Sequence, residues 1–424
     1  MRARLAHLAK TGDVPVFVVV GGGYRSAVHR LRLVEGISIV ASPRHASVLL
    51  IAGALTNDAT GTVSHVHDQM AGPRVTVAWG HPEPSVIPVQ TTVNGDVTEV
   101  ATTIRRLFHD VLSGAVAPEQ PLLPDVDAVE WRGVGPYGHG GAGMTGGTPY
   151  GRPLALRAPA RDNLELDQLP VTVGPWFTGF PPGLALRISL QGDVAQAVEV
   201  APTNLIQAGP AGLFTRALSE PTPIRDLEMA RARHHIEWMA DTLEIAGVDR
   251  LAVRADRIAG MISPGEVDPV ERLVKAVRRS LLRLMTLRNV GVLPGEIDLA
   301  GLGPVVRATG VADDRRREEQ AYRDLGFEPV THSGGDAWAR FSQRAAEAVQ
   351  ALDLAGRAGD TRAFGNGEVE APDGLHRMGE PDPANRLVSI LETVLIGSEW
   401  GDLVTTIQSL DIDMETVSVG TPAP

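Results

Sequence analysis

The sequence predicts a parallel α/β domain followed by an α+β domain built from a small antiparallel sheet and a helical bundle. Three observations lead there. Between residues 14 and 113, short continuous apolar runs alternate with helical or turn-rich stretches, the pattern of buried parallel strands with helices on both faces. From residue 184 the pattern changes to alternation around a glycine turn, and after residue 222 it becomes helical. At 424 residues the chain also exceeds the roughly 250–300 residues that one core usually supports, so two or three domains are expected.

The predicted strands of the first domain are "VPVFVVV", "ISIVA", "SVLLIAG", "RVTVAWG" and "SVIPVQ". The stretch "VTEVATTIRRLFHDVL" reads as a helix, with Val97, Val100, Ile104, Leu107 and Val111 on one buried face. Residues 115–136 are rich in Pro and Asp, and the "GVGPYGHGGAGMTGGTPYGRP" that follows is too rich in Gly and Pro for a regular element. It reads as a connection, or alternatively as an ordered loop at an interface, given Tyr137, His139, Met144 and Tyr150. "LALRISLQGDVAQAVEV" is a predicted hairpin turning at Gly192. The helix over residues 222–247 takes Thr222 as its cap, Pro223 in its first turn and Gly247 at its close. Further helices are expected over residues 269–289, 336–355 and 386–396.

Composition excludes several classes of function. A net charge of −12 argues against nucleic-acid binding, which needs clustered cations. No apolar run approaches the roughly 18 residues of a transmembrane helix, and residues 1–20 lack a signal-peptide pattern, so a cytoplasmic protein is expected. The chain contains no cysteine, which excludes disulfides, thiol catalysis and cysteine-ligated iron–sulfur, nickel or zinc centres.

Few motifs carry chemistry. The loop Gly21-Gly22-Gly23-Tyr24-Arg25-Ser26 fits a dinucleotide fingerprint loosely, as G-x-G-x-x-S. The second strand ends in Ala41-Ser42-Pro43-Arg44, where an acid would hold a ribose; Arg44 could instead take a 2′-phosphate. His234 and His235 share a helix with Glu237 and Asp241, spaced either for a metal or for a hydrogen-bonded buried histidine. "DDRRREEQ", residues 313–320, reads as a solvated face or interface patch.

One segment, "ASPRHASVLLIAGALTNDATGTVSHVHDQMAGPRVTVAWG", carries a family likeness through Ala41 to Arg44, Ala52, Gly53, Leu55 to Asn57, Asp68 to Met70, Pro73, Arg74 and Gly80. It resembles the small, cluster-bearing subunit of respiratory complex I and of membrane-bound group 4 [NiFe] hydrogenases. In the second half Glu228, Arg231, His235, Trp238 and Gly247 match the helix pattern E-x-x-R-x-x-x-H-x-x-W of the large, quinone-site subunit of the same complexes. Residues 301–330 and "TTIQSLDID" resemble two later segments of that subunit.

The resemblance implies a fusion: a flavodoxin-like domain over residues 1–114, a connection over 115–163 and a quinone-site-like domain over 164–424. It departs from the family where the cofactors would sit. Gly21, Gly22 and Gly23 stand where the family places adjacent cluster cysteines, and "HPEP", with Pro82, stands near another. The loop "VGPWFTGFPPGLALR" offers Pro181 and Pro182 where complex I places a quinone-facing histidine, and the segment bearing the quinone-facing tyrosine is shortened. The resemblance thus implies a redox-inactive scaffold or coupling subunit, attached to the inner face of the cell membrane. Its partners would be membrane ion-translocating and other peripheral-arm subunits. The alternative is an active quinone-linked oxidoreductase subunit using cofactors on partner chains. No bound cofactor is expected, a quinone being the one candidate. Arg44, Thr56, Asn57, Glu228, Arg231 and His235 are the expected interface or pocket residues.

Overall fold

A computed structural model describes residues 12–80, 86–125, 156–159, 164–201, 204–209, 212–280, 285–364 and 366–417. The first half is a sheet of β1 (Val14–Val20), β2 (Ile37–Ile39), β3 (Val48–Ala52), β4 (Val75–Trp79) and β5 (Thr91–Val93). These run in the order β2-β1-β3-β4-β5, each neighbouring pair parallel. Its helices are α1 (Arg25–Leu31), α2 (Ala59–Gln69) and α3 (Val97–Ser113).

The strands are continuously apolar because both faces are covered. On one face Val16, Val18, Leu50 and Val77 pack against Val28 of α1 and Ile104 and Leu107 of α3. On the other, Phe17, Val19, Leu49 and Ile51 meet Val63 of α2 together with Trp176, Leu205 and Ile206 of the second half. The second half therefore completes the cover of the first sheet. Helix α3 spans the predicted segment, and the Asp96 carboxylate caps it by accepting the Thr98 and Glu99 N–H groups at 2.8 and 3.0 Å.

The fifth strand forms one step later than "SVIPVQ" predicts. Val86 and Ile87 are buried in the cover of the sheet, and Pro88 has no N–H to give a ladder, so pairing begins at Thr91. The connection also starts later than expected, since residues 115–125 are pinned to the first half. Glu119 accepts the N–H and hydroxyl of Thr76 at 2.9 and 2.7 Å, and Asp68 accepts the N–H groups of Leu122 and Leu123. Tyr137, His139, Met144 and Tyr150 lie outside the described residues.

The second half opens with an antiparallel sheet of β6 (Arg157–Pro159), β7 (Glu165–Val173), β8 (Leu186–Gln191) and β9 (Val194–Val200), in that order. The β8–β9 hairpin turns where predicted, with Gly192 at φ 65°. Then follow α4 (Leu213–Ala217), α5 (Ile224–Ile245), α6 (Asp249–Met261), α7 (Asp268–Arg279), α8 (Pro304–Arg307), α9 (Gln320–Asp324), α10 (Ala337–Arg357), α11 (Pro383–Leu395) and α12 (Trp400–Leu410). Two short ribbons complete it: β10 (Thr222–Pro223) with β11 (Arg362–Ala363), and β12 (Glu368–Glu370) with β13 (Leu375–Arg377). Thr222 thus pairs in a ribbon instead of capping α5. Helices α5 and α10 pack along their lengths through Trp238, Met239, Leu243, Ala345, Ala348 and Leu352.

Candidate functional site

The three glycines lie at the carboxyl end of β1, and the space beyond them is filled by protein. Gly22 bridges to Ala54, and a Cβ on it would meet Gln207 O and lie 2.6 Å from Gly209 N. A Cβ on Gly21 would lie 2.6 Å from Ala54 O. Gly23, at φ 77°, gives its N–H to both carboxylate oxygens of Glu415 at 2.8 and 2.9 Å. An amide that a phosphate would need is therefore already engaged by an anion. Thr56 sits at the same junction: its N–H donates to Leu205 O at 3.0 Å and its hydroxyl to Asn204 O. Arg44 and Asn57 are exposed, and Pro82 lies outside the described residues.

Next to the glycines, α1 turns a cationic face to the second half. Arg25, His29 and Arg32 are spaced to share one helical face. Arg25 reaches Asp411 at 3.1 Å and Asp241 at 3.3 Å, and Arg32 reaches Asp241 at 2.8 Å and Glu244 at 3.1 Å. The Ser26 hydroxyl donates to Glu237 at 2.5 Å. His29 is buried between two carboxylates, with Nδ1 2.8 Å from Asp256 and Nε2 3.5 Å from Asp241. A neutral imidazole has one N–H, so only the imidazolium can donate in both directions. Burial opposes that charge, but the two carboxylates outweigh it and push the His29 pKa up to about 9. Burial likewise opposes the Asp241 carboxylate, and His29 with Arg32 and Arg25 holds it below the usual range.

The three large-subunit candidates enter a second, fully buried group of charges. Glu228 receives the Tyr322 hydroxyl at 2.8 Å and Arg316 at 3.0 Å, and stands 3.3 Å from Arg231. Arg316 grips Asp314 at 2.7 Å, Asp314 faces Arg307 at 3.2 Å, and Arg307 holds Glu347 and Glu370 at 2.7 Å each. His235 lies between Glu347, 3.3 Å from Nε2, and Arg344, 3.4 Å from Nδ1. Burial, with Arg344 and His234 nearby, pushes the His235 pKa down to about 3, against the pull of Glu347. His235 is thus neutral, accepting from Arg344 at Nδ1. Arg344 reaches Asp411 at 3.0 Å, and Asp411 also binds His234 at 2.6 Å and Arg25. One relay of charged and polar groups therefore runs from Tyr322 through both halves to Asp256.

This corrects the reading of "DDRRREEQ" as a solvated or interface patch. Asp314 and Arg316 are buried, because Asp314 caps a short 3₁₀ turn (Arg315–Glu318) and both face inward. Sequence reasoning also missed Arg344 and Glu347. A signal was present: Arg340, Arg344 and Glu347 recur at helical spacing among Ala337, Phe341, Ala345 and Ala348, so charges share the apolar face of α10.

A cavity of about 110 Å³ lies between the halves. Val18, Trp176 and Phe180 form an apolar wall, and Arg25, His29 and Asp241 a charged one. Among the described residues no group of three or more His, Asp or Glu side chains is placed to hold a metal ion. Nor, among them, is any helix long and apolar enough to cross a membrane.

Residues 262–377 match the family described as the 49 Kd subunit of respiratory-chain NADH dehydrogenase. The chain is 38% identical over 103 residues to an NADH-quinone oxidoreductase subunit of Chloroherpeton thalassium, covering 23% of each chain. It is 35% identical over 194 residues to the subunit of the same name in Salinispora arenicola, covering 35% of this chain and 44% of that one. It is 29% identical over 244 residues to the membrane-bound hydrogenase subunit alpha of Pyrococcus furiosus, covering 42% of this chain and 57% of that one. The chain thus spans from about a quarter to somewhat over half the length of these curated relatives. It is, over these stretches, complex I-like and hydrogenase-like, similar to NADH-quinone oxidoreductase subunits and to the alpha subunit of a membrane-bound hydrogenase.

Proposed function

We propose that this chain is a peripheral-arm subunit of a complex I-like or hydrogenase-like membrane assembly, and that it scaffolds or couples without a redox centre of its own. In this reading residues 1–114 form a flavodoxin-like domain derived from the small subunit and residues 164–424 derive from the large one. The parallel strand order of the first sheet and the likeness of residues 262–377 support it. The observation that carries it is the filled end of β1. Backbone of residues 204–209 and the Glu415 carboxylate abut Gly21, Gly22 and Gly23, in a chain without cysteine. Its partners are then membrane subunits that translocate ions and other peripheral-arm subunits, at the inner face of the membrane. Purification from the native host in mild detergent, followed by identification of partners and by iron and nickel analysis, tests this. Membrane subunits should co-purify, with no iron or nickel bound to this chain; recovery as a lone monomer would refute the reading.

The cavity between the halves favours a second reading, in which a quinone binds there and partner chains supply the electrons. Its apolar wall suits a ring, and Arg25 on its charged wall keeps N–H groups beyond those given to Asp411 and Asp241. Titration of a soluble quinone against Trp176 fluorescence should then show saturable quenching that a Trp176→Phe variant loses. A flat titration removes this reading and leaves the first intact.

A further inference from the structure

One surface stretch of the second half is rich in cations. From Arg272 to Arg288 the sequence holds six cations and no carboxylate, in a chain of net charge −12. Its first eight residues belong to α7, whose Val270, Leu273 and Val277 face the core. Lys275, Arg278, Arg279 and Arg288 are exposed, and among the described residues none of them makes an ion pair. Arg272 comes within 3.8 Å of Asp268 at the surface.

These cations border a groove. Between α7 and α10 lies an open cleft of about 520 Å³ with Lys275 and Arg278 on its rim and Glu271 at one end of the same helix face. Its floor is apolar: Val274, Trp338, Phe341, Ala346 and Val349. The Trp338 and Phe341 rings stack with centroids 5.8 Å apart and planes 9° from parallel, which gives the floor a fixed shape. Among the described residues Val274, Trp338, Ala346 and Val349 are half-buried, with Phe341 buried beneath them. An apolar trough beside unpaired cations therefore faces solvent.

We propose that this groove is a docking site for an acidic amphipathic helix of a partner protein. The charge sign selects the partner, because carboxylates beside the groove would meet Lys275, Arg278 and Arg279, cations that have no partner among the described residues. The concave form selects a helix: apolar residues at i, i+3 or i+4 and i+7 fill a trough between two helices, whereas a bilayer surface is flat. Nucleic acid would leave the apolar floor exposed to water. The inference rests on α7 and α10 alone and stands whether or not the proposed function holds.

The test places a photo-cross-linking phenylalanine derivative at Val349 and, separately, at Val274 of the full chain in its native host. The expected product is a cross-link to another protein, within a segment of helical apolar periodicity that carries several Asp or Glu residues. Lys275→Glu combined with Arg278→Glu should lower its yield about tenfold, as should high salt, since both groups are solvent-exposed and screened. The melting curve of the double variant should match the parent; if it does not, the salt series and the identity of the cross-linked segment decide. Cross-links to phospholipid, to this chain itself or to a segment without carboxylates would overturn the proposal. So would the absence of any cross-link, or a yield indifferent to salt.

Discussion

Replacing His29 by Gln should remove from the protein's pH-dependent stability the part that His29 supplies at the junction between the halves. The parent imidazolium faces Asp256 and Asp241 and is flanked by Arg25 and Arg32. Its pKa rises from 6.5 to about 9, which at roughly 1.4 kcal/mol per pKa unit stabilises the protonated folded state by roughly 3 kcal/mol. Because the folded value lies above the free one, this stabilisation is complete below pH 6.5 and is lost as pH rises through about 9. His376 titrates in the same range: burial opposes its charge, but Asp373 and Asp382 push it up to about 9. The difference between parent and variant cancels that contribution. Urea unfolding of both proteins at a series of pH values should show a gap that narrows by about 3 kcal/mol between the acid and alkaline ends. A gap that stays constant, or an imidazole resonance of His29 titrating near 6.5, would refute the reasoning.

Three further outcomes are expected. Arg307→Met removes the cation shared by Glu347, Glu370 and Asp314 and should cost about 3–5 kcal/mol, read by denaturant unfolding; a loss below about 1 kcal/mol would show that the carboxylates relax to water. Gly22→Ala drives a methyl group against Gln207 O and should cost about 2 kcal/mol, with faster amide exchange in residues 204–209; unchanged exchange there would contradict the packing described. Tyr322→Phe deletes the hydroxyl donated to the buried Glu228 carboxylate, and thermal unfolding should register about 1–3 kcal/mol.

Much of the fold was legible because burial on both faces writes itself as unbroken apolar runs, as in β1, β3 and β4. The extents of α3 and α10 were legible too, each a periodic segment found within two residues of its observed ends. Strand β7 was not. Its residues are mostly exposed, it carries Glu165, Asp167 and Pro170, and it meets the core through Val171 and Val173 near its end, the rest being held by pairing with β6 and β8. Of the candidate residues, Glu228, Arg231 and His235 were found through a helix pattern, and the structure places all three inside. The rest of the buried group, Arg307, Asp314, Glu347 and Glu370, comes from four separate segments, and no local spacing announces the contacts that Arg307 makes across 40 and 63 residues. Arg44 and Asn57, drawn from the same likeness, lie on the surface.

The bonds from Glu415 to Gly23 and from Asp411 to Arg25 also carry a consequence for synthesis. They join residues 392 and 386 positions apart. At roughly 5–20 residues per second, a ribosome needs about 20 to 80 seconds to go from one partner to the other. Throughout that interval the first half has its strands and helices but neither carboxylate, so the Gly23 N–H stays hydrated and Arg25 has Asp241 alone until residues 411–415 have emerged. A nascent chain halted before residue 411 would carry both sheets and the contacts of Ser26, Arg25 and His29 with Glu237, Asp241 and Asp256, but not these two bonds.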